Sequence, residues 1–433
     1  MALGGGRFTT MNKILPGSYI NVITNQAESF GLESGVVAFP WCMNWGPDAA
    51  ITEITADDFV GKCFEKLGYE PADAAMLPLK ELFTGGATKV LIYNLNTGVK
   101  ASNTYATAKY KGTKGNSITI KIANDVDDVT KFDVSTIVDS IVRETQIVQT
   151  SASLVDNDWV VFDKTVTLAV TSGTPLTGGT NGTVTGTQHA AALTAFEQKF
   201  FNVLACDSTD PDTAALYVAY VRRMRESMGK DFQLVIYNNA ADYEGVINVG
   251  TQVSDTGARI SSLVYWVAGK SASRALGKSN TNALYDGSYT PVCTETQTQL
   301  ENAIKAGKFM FHLVGDDVRV LMDINSLVTF TTEKSSIMAN NEVIRVTDYL
   351  NNMIASLFNT RYIGNVINND TGRAHLRQDI AAIQDDLVNA GAIEYDGGDL
   401  TVTLGPQKGD VVISDLITVN AAMVRLYMTI TVQ

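Results

Sequence analysis

Three histidines, His189, His312 and His375, are the imidazole bases of this chain, so nucleophilic or acid–base chemistry near neutral pH would have to be built around one of them. None sits in a catalytic motif. His189 leads from a loop into Ala190-Ala191-Ala192, His312 falls in the apolar run Phe309 to Val314, and His375 opens a C-terminal helix, so all three read as structural. No Gly-x-Ser-x-Gly elbow is present. Gly269-Lys270-Ser271 and Gly277-Lys278-Ser279 have the look of P-loop tails, but each lacks the upstream glycine that would complete a phosphate cradle. The acidic run Asn124-Asp125-Val126-Asp127-Asp128 lacks the central Gly and distal Glu of a calcium loop and reads as a solvated turn. Cys42, Cys63, Cys206 and Cys293 form no CxxC pair and read as buried free thiols. No catalytic residue, cofactor or metal is therefore expected.

Bulk composition removes further classes. A formal net charge of -13 opposes a general affinity for nucleic acid, and the basic stretch Lys109, Lys111, Lys114 and Lys121 is followed at once by acidic residues. No apolar run approaches the ~20 residues of a membrane span, since Leu263 to Ala268 is broken by Gly269-Lys270-Ser271. The first residues carry neither the basic nor the apolar region of a secretory signal, so the chain is expected to stay in the cytoplasm after synthesis. Its 433 residues suffice for roughly two to four domains.

The elements that would position any site alternate between α/β and all-β patterns. Val36 to Trp41 reads as a buried strand, and Thr55-Ala56-Asp57-Asp58 as a capping box before a helix that carries Phe59, Cys63 and Leu67 and ends at Gly68. A second helix with Met76, Leu79 and Phe83 leads to the strand Lys89 to Leu95. From about 97 to 187 the pattern shifts to short Thr- and Val-rich runs, such as Ser117 to Ile122 and Thr165 to Val170, which read as an inserted β-sandwich-like domain. The α/β pattern resumes with strands Phe201 to Cys206 and Phe232 to Tyr237, a helix opened by Asp210-Pro211, helices at Ala258 to Ala268 and Glu295 to Ala306, and a hairpin from Lys308 to Asn325. Beyond 333, two helices carrying Val343 to Leu357 and Leu376 to Leu387 precede strands at Leu400 to Leu404 and Val411 to Val419.

The ends call for partners. Near the start, Tyr19, Ile20, Asn21, Val22 and Ile23 form a solitary β-favouring run; at the end, Val424, Leu426, Met428, Ile430 and Val432 alternate strictly with more polar residues. Unpaired strands of this kind are aggregation hazards unless a second chain completes them, which makes strand addition between copies a natural function.

In order along the chain, several strings together resemble the tail sheath family of contractile, myophage-type tails, especially sheaths of Gram-positive phages and PBSX-like prophages. The carriers are Met1 to Gly6, Leu15 to Asn21, Trp45-Gly46-Pro47, Pro175 to Gly182, Ala241 to Val246, Lys278 to Asn282, Asp323 to Leu327, Val343 to Val346 and Tyr362-Ile363-Gly364. The resemblance implies an α+β multidomain chain with an N-terminal arm (1–25), an α/β, subtilisin-like core (26–96 and 188–332), an inserted β-sandwich-like domain (97–187), a tube-proximal C-terminal domain (333–410) and a C-terminal β-arm (411–433). It implies a non-enzymatic subunit that polymerises helically, in rings expected to be hexameric, around the tube of a phage tail or phage-tail-like bacteriocin. The sheath would assemble in the host cytoplasm with tube, baseplate and terminator proteins, without nucleic acid or membrane insertion. It also implies that the terminal arms join sheets of neighbouring subunits, and on its geometry Arg373 and Arg377 are placed facing the tube. Two other classes compete on residue patterns alone: a hydrolase on the α/β core, and a surface-binding protein acting through the β insert.

Overall fold

The computed structural model describes residues 33–395 and 398–432, so the expected strand at Tyr19 to Ile23 lies outside the described residues. The first apolar run forms β1 (Val36–Trp41), with Val36 and Ala38 buried on one face and Val37 and Phe39 on the other. A strand apolar on both faces belongs inside a sheet covered on both sides. An unanticipated strand, β2 (Ile51–Thr55), runs antiparallel to β3 (Lys89–Asn94) at the sheet edge. Between them, the expected single helix is broken at Lys62 into α1 (Ala56–Gly61) and α2 (Cys63–Leu67), while Phe59, Cys63 and Leu67 keep their common buried face. The capping box forms: Thr55 Oγ1 accepts from Asp58 N at 3.1 Å, and Asp58 Oδ2 accepts from Thr55 N at 3.4 Å. Helix α3 (Leu77–Thr84) follows.

Six strands come next: β4 (Ala106–Ala108), β5 (Ile118–Asn124), β6 (Phe132–Val138), β7 (Ile141–Val148), β8 (Val160–Phe162) and β9 (Thr171–Pro175). They form a four-stranded sheet in the order β7-β6-β5-β9 and a β4-β8 pair. Ile118, Ile120 and Ile122 alternate into the core they share with Val160 and Phe162. The strand expected at Thr165 to Val170 does not form, because Asp163 Oδ1 accepts from both the backbone N (2.9 Å) and Oγ1 (2.6 Å) of Thr165 and folds the start of that run into a turn.

The chain then returns to the first layer through α4 (Gly186–Phe196), β10 (Val203–Cys206), α5 (Pro211–Glu226), β11 (Gln233–Tyr237), β12 (Val246–Val249), α6 (Leu263–Ser273), α7 (Gln297–Lys305) and β13 (Lys308–Phe309). The result is a seven-stranded sheet in the order β13-β12-β11-β10-β1-β3-β2, parallel except for β2. Helices α4 and α5 cover one face, and α3 and α6 the other. Helix α7 starts later than expected because Thr296, not Glu295, supplies the cap, accepting at Oγ1 from Gln299 N. A hairpin of β14 (Phe311–Val314) and β15 (Asp317–Val320) leads to the last unit, made of α8 (Asn341–Leu357), α9 (Asp370–Asn389) and four short strands. The expected single strand at Val411 to Val419 is two: β16 (Ile393–Glu394) pairs with β19 (Thr418–Val419), and β17 (Thr401–Leu404) with β18 (Val411–Ser414). The break falls at Asp415, which is drawn aside to Gln384 on α9.

Candidate assembly site

In an open parallel sheet, chemistry is expected where the strand order reverses, beyond the carboxyl ends of the strands. Here that point lies between β1 and β10, and a cavity of about 300 Å3 opens there, lined by Trp41, Cys42, Asn44, Arg259, Tyr265 and Tyr289. Its charges are already engaged. Asp207, just past β10, accepts from Tyr265 Oη at 2.7 Å and stands 3.4 Å from Arg259 Nε. Burial pushes the Cys42 thiol up, away from the thiolate a nucleophile requires. Cys63 and Cys293 are likewise pushed up by burial, to about 12 and about 11.

The histidines do not complete a catalytic set. Nδ1 of His189 shares a 2.8 Å hydrogen bond with Tyr217 Oη between α4 and α5, and burial holds its pKa below the usual value. His312 lies across from Arg319 in the β14–β15 hairpin, and His375 is exposed on α9. Among the described residues no histidine is hydrogen-bonded to Ser, Cys or a carboxylate, and no group of His, Cys, Asp and Glu could hold a metal ion.

The other sequence motifs resolve into structure. Gly269-Lys270-Ser271 lies inside α6, where a Cβ on Gly269 would come 2.1 Å from Leu82 O, so that glycine allows α6 to pack on α3. Asp125 Oδ1 accepts from Asp127 N at 3.1 Å and Asp128 N at 2.7 Å, the turn expected of the acidic run. Lys109, Lys111 and Lys114 pair with Asp158, Asp48 and Asp139 at 3.2, 2.7 and 2.6 Å, which disperses the basic stretch. No helix among the described residues is long and apolar enough to cross a membrane.

Among the described residues, the segment left without a strand partner is the C-terminal one. Residues 421–432 have no regular secondary structure, so the strand expected at Val424 to Val432 is not formed within one chain. The reason is physical: a strand needs a neighbour to take its N–H and C=O groups, and no strand among the described residues pairs with it. Leu426, Met428, Ile430 and Val432 are 86%, 71%, 72% and 88% exposed, and Val424 is 44% exposed. The segment leaves a small unit in which Val346, Leu350, Leu376, Ile380 and Leu387 of α8 and α9 form the core. The two arginines predicted to face the tube are engaged within this unit: Arg373 pairs with Asp370 and donates to Asn368 Oδ1 at 2.9 Å, and Arg377 Nε donates to Leu400 O at 2.8 Å.

Sequence patterns do not reveal the polar junction between this unit and the sheet. Asp323, fully buried, accepts from Asn280 N (2.8 Å), Asn341 Nδ2 (2.9 Å) and Arg345 Nη2 (2.8 Å), and Arg225 on α5 forms a bidentate pair with Asp348 on α8 at 2.7 and 2.6 Å. These partners are far apart in the chain, and their residue types carry no periodic signal. Asp323 and Arg345 do fall in strings that carry the family resemblance.

Three family models match the chain in succession: the phage tail sheath protein beta-sandwich domain at residues 96–181, the central domain at 182–326 and the phage tail sheath C-terminal domain at 333–433. The PBSX phage-like element protein XkdK of Bacillus subtilis is 34% identical over 386 residues, covering 81% of each chain. The crystal structure of a sheath tail protein from Desulfitobacterium hafniense superposes with a TM-score of 0.80 at 36% identity, covering 90% of this chain and 93% of that one. The helical sheath of the anti-feeding prophage in its contracted state shares the fold, with a TM-score of 0.55 at 13% identity over 96% of this chain and 98% of that one. The chain belongs to the phage tail sheath protein family. It is a tail sheath subunit with a mixed α/β multidomain architecture and a β-sandwich domain.

Proposed function

We propose that this subunit polymerises helically around a tail tube and contracts to drive the tube through a bacterial envelope, with neighbouring subunits linked by strand addition of their terminal arms. The observation that carries the linkage is the exposed, alternating segment 423–432, which has apolar side chains to offer a receiving sheet and main-chain groups in no ladder with the other described residues. The β17–β18 hairpin supplies short sheet edges in the same unit. Tyr19 to Ile23 is assigned the complementary pairing at the other end on sequence pattern alone. Contraction would be a rigid-body rearrangement of subunits about these arms, releasing energy stored at assembly without nucleotide or metal.

In the same way the subunits would stack in hexameric rings, meet baseplate and terminator proteins, assemble in the host cytoplasm and turn α9 toward the tube, with the chain divided into its two arms, the two parts of the core, the β insert and the C-terminal domain. A subtilisin-type kinship for the core is supported by its largely parallel seven-stranded sheet. A non-enzymatic role is supported by the family, whose models and solved relatives are described as tail sheath proteins and helical sheaths.

Negative-stain electron microscopy of the purified full chain at high concentration, beside a chain ending at Ala422, tests the linkage. Striated cylinders from the full chain alone are expected. Cylinders of equal length from the shortened chain would remove the C-terminal arm from the assembly mechanism. Because residues 423–432 are exposed, the shortened chain should keep its folding stability within about 0.5 kcal/mol by urea denaturation.

A further inference from the structure

The segment from 418 onward is tied down in three successive steps. Strand β19 pairs with β16. Asn420 N then donates to Ala392 O at 2.9 Å, and its side-chain Nδ2 to Gly391 O at 3.2 Å. Finally Ala422 N donates to Glu342 Oε1 at 3.1 Å. Met423 is fully exposed, and no hydrogen bond of residues 423–432 to the rest of the described chain is seen. The side chain of Glu342 is therefore the last anchor before the free segment begins.

Glu342 suits the first turn of a helix by its charge, but its burial is notable. It is buried at 4% exposure in the first turn of α8, and its second oxygen, Oε2, meets no donor at full hydrogen-bond geometry among the described residues, with the Ser279 hydroxyl and the Arg345 guanidinium near enough to favour its charged form. Burial still outweighs these neighbours and holds the carboxyl above its usual range, so part of its desolvation cost is not recovered, and the one backbone group it is seen to hold is Ala422 N. Its location connects two things. Asn341, the preceding residue, and Arg345, one turn further along α8, both hold Asp323, which also receives the backbone of Asn280. Asn341 Oδ1 in turn accepts from Gln233 Nε2 on β11 at 3.0 Å. The first turn of α8 is thus fixed to the central sheet on one side and holds the root of the C-terminal segment on the other.

We infer that Glu342 is a positioning residue that sets where, and in which direction, the C-terminal arm departs, so that the orientation of the arm is referenced to the junction between the central sheet and the last unit. The inference rests on the arm reading above and adds the residue that aims the arm. A subunit that must place its arm on a neighbour gains from a root held to a rigid base, because a freely swivelling root spreads the arm over orientations that cannot pair.

Hydrogen–deuterium exchange of the full chain, read by mass spectrometry on peptides spanning 418–426, tests this in Glu342→Met, which fills similar space without an acceptor, and Glu342→Gln, which keeps one. The Ala422 amide should exchange about tenfold or more faster in Glu342→Met, with Asn420 unchanged and wild-type behaviour restored in Glu342→Gln. Electron microscopy of Glu342→Met should show fewer or irregular cylinders. Unchanged exchange at Ala422 in Glu342→Met, or faster exchange together with normal cylinders while the chain ending at Ala422 fails to assemble, overturns the positioning role. Normal assembly of the chain ending at Ala422 instead removes the arm reading itself, and would leave faster Ala422 exchange in Glu342→Met as a local contact only.

Discussion

Arg225 illustrates how a single residue can hold two units of this chain together. Its guanidinium, buried on α5, reaches Asp348 on α8 through two bonds and approaches Asp231 at 3.8 Å. Burial pushes the Asp348 carboxyl up to about 6 even with Arg225 opposing that shift. Arg225→Met should therefore cost about 3–5 kcal/mol in urea denaturation at about pH 7, since it strands a buried carboxylate. The deficit carries a pH signature. A carboxyl whose folded pKa lies above its unfolded value favours the folded state increasingly as pH falls through the folded pKa, so the loss should shrink toward about pH 5. An equal deficit at both pH values would show that Asp348 remains charged and otherwise compensated. Neither this pair nor the Asp323 cluster could be read from the sequence, because their partners are separated by more of the chain than any local pattern spans. Thr55 with Asp58 and Asp210 with Thr213 could be read, because a cap needs only residue types three positions apart.

At the scale of elements, close approach rather than propensity explains the glycine in the middle of α6. A Cβ on Gly269 would strike the backbone oxygen of Leu82, whereas one on Gly186, at the start of α4, would meet nothing within 4 Å. Gly269→Ala should lose about 1–3 kcal/mol through separation of α3 from α6. Gly186→Ala should be neutral or gain up to about 1 kcal/mol. Thermal or urea denaturation of the two variants side by side checks this, and equal stabilities would mean the helices can part without cost. The sequence presents Gly269 within an apparent phosphate-loop tail, and only the packed helix pair shows its use. The strands predicted from alternation mostly formed where both faces, or one, found cover. Those that did not form failed for nameable reasons: a side-chain turn at Asp163 and, among the described residues, no strand pairing beyond 420.

For the molecule as a whole, the β insert enters and leaves the α/β layer side by side. Val99 bridges Thr180, and Gly182 N donates to Asn96 Oδ1 at 3.3 Å, so the layer can close without the insert. The two units still share an apolar seam in which Trp45 stacks on Trp159 with ring centroids 5.5 Å apart and Arg143 lies 3.8 Å over the Phe64 ring. Joining residue 97 to 182 directly should give a folded layer that gains solubility when Trp45 and Phe64 are replaced by polar residues, which size-exclusion chromatography and circular dichroism would report. Cylinders formed by that variant would place assembly in the layer and the C-terminal unit. Retained assembly would also leave the insert available for surface binding. Failure to fold even with the polar replacements would show that the insert is needed to hold the layer together.

The sequence by itself determined the succession of layers, the continuous apolar strands buried on both faces, the alternating strands of the insert, the helix caps and the family, because each is written in neighbouring residues or in the order of short strings. Only the tertiary structure decided which charges meet, which glycine lets two helices pack closely, where the predicted strands break and where the C-terminal segment leaves its last anchor at Glu342. Those outcomes depend on residues far apart in the chain being brought within a few ångströms in surroundings that exclude water, and local periodicity carries no record of such meetings.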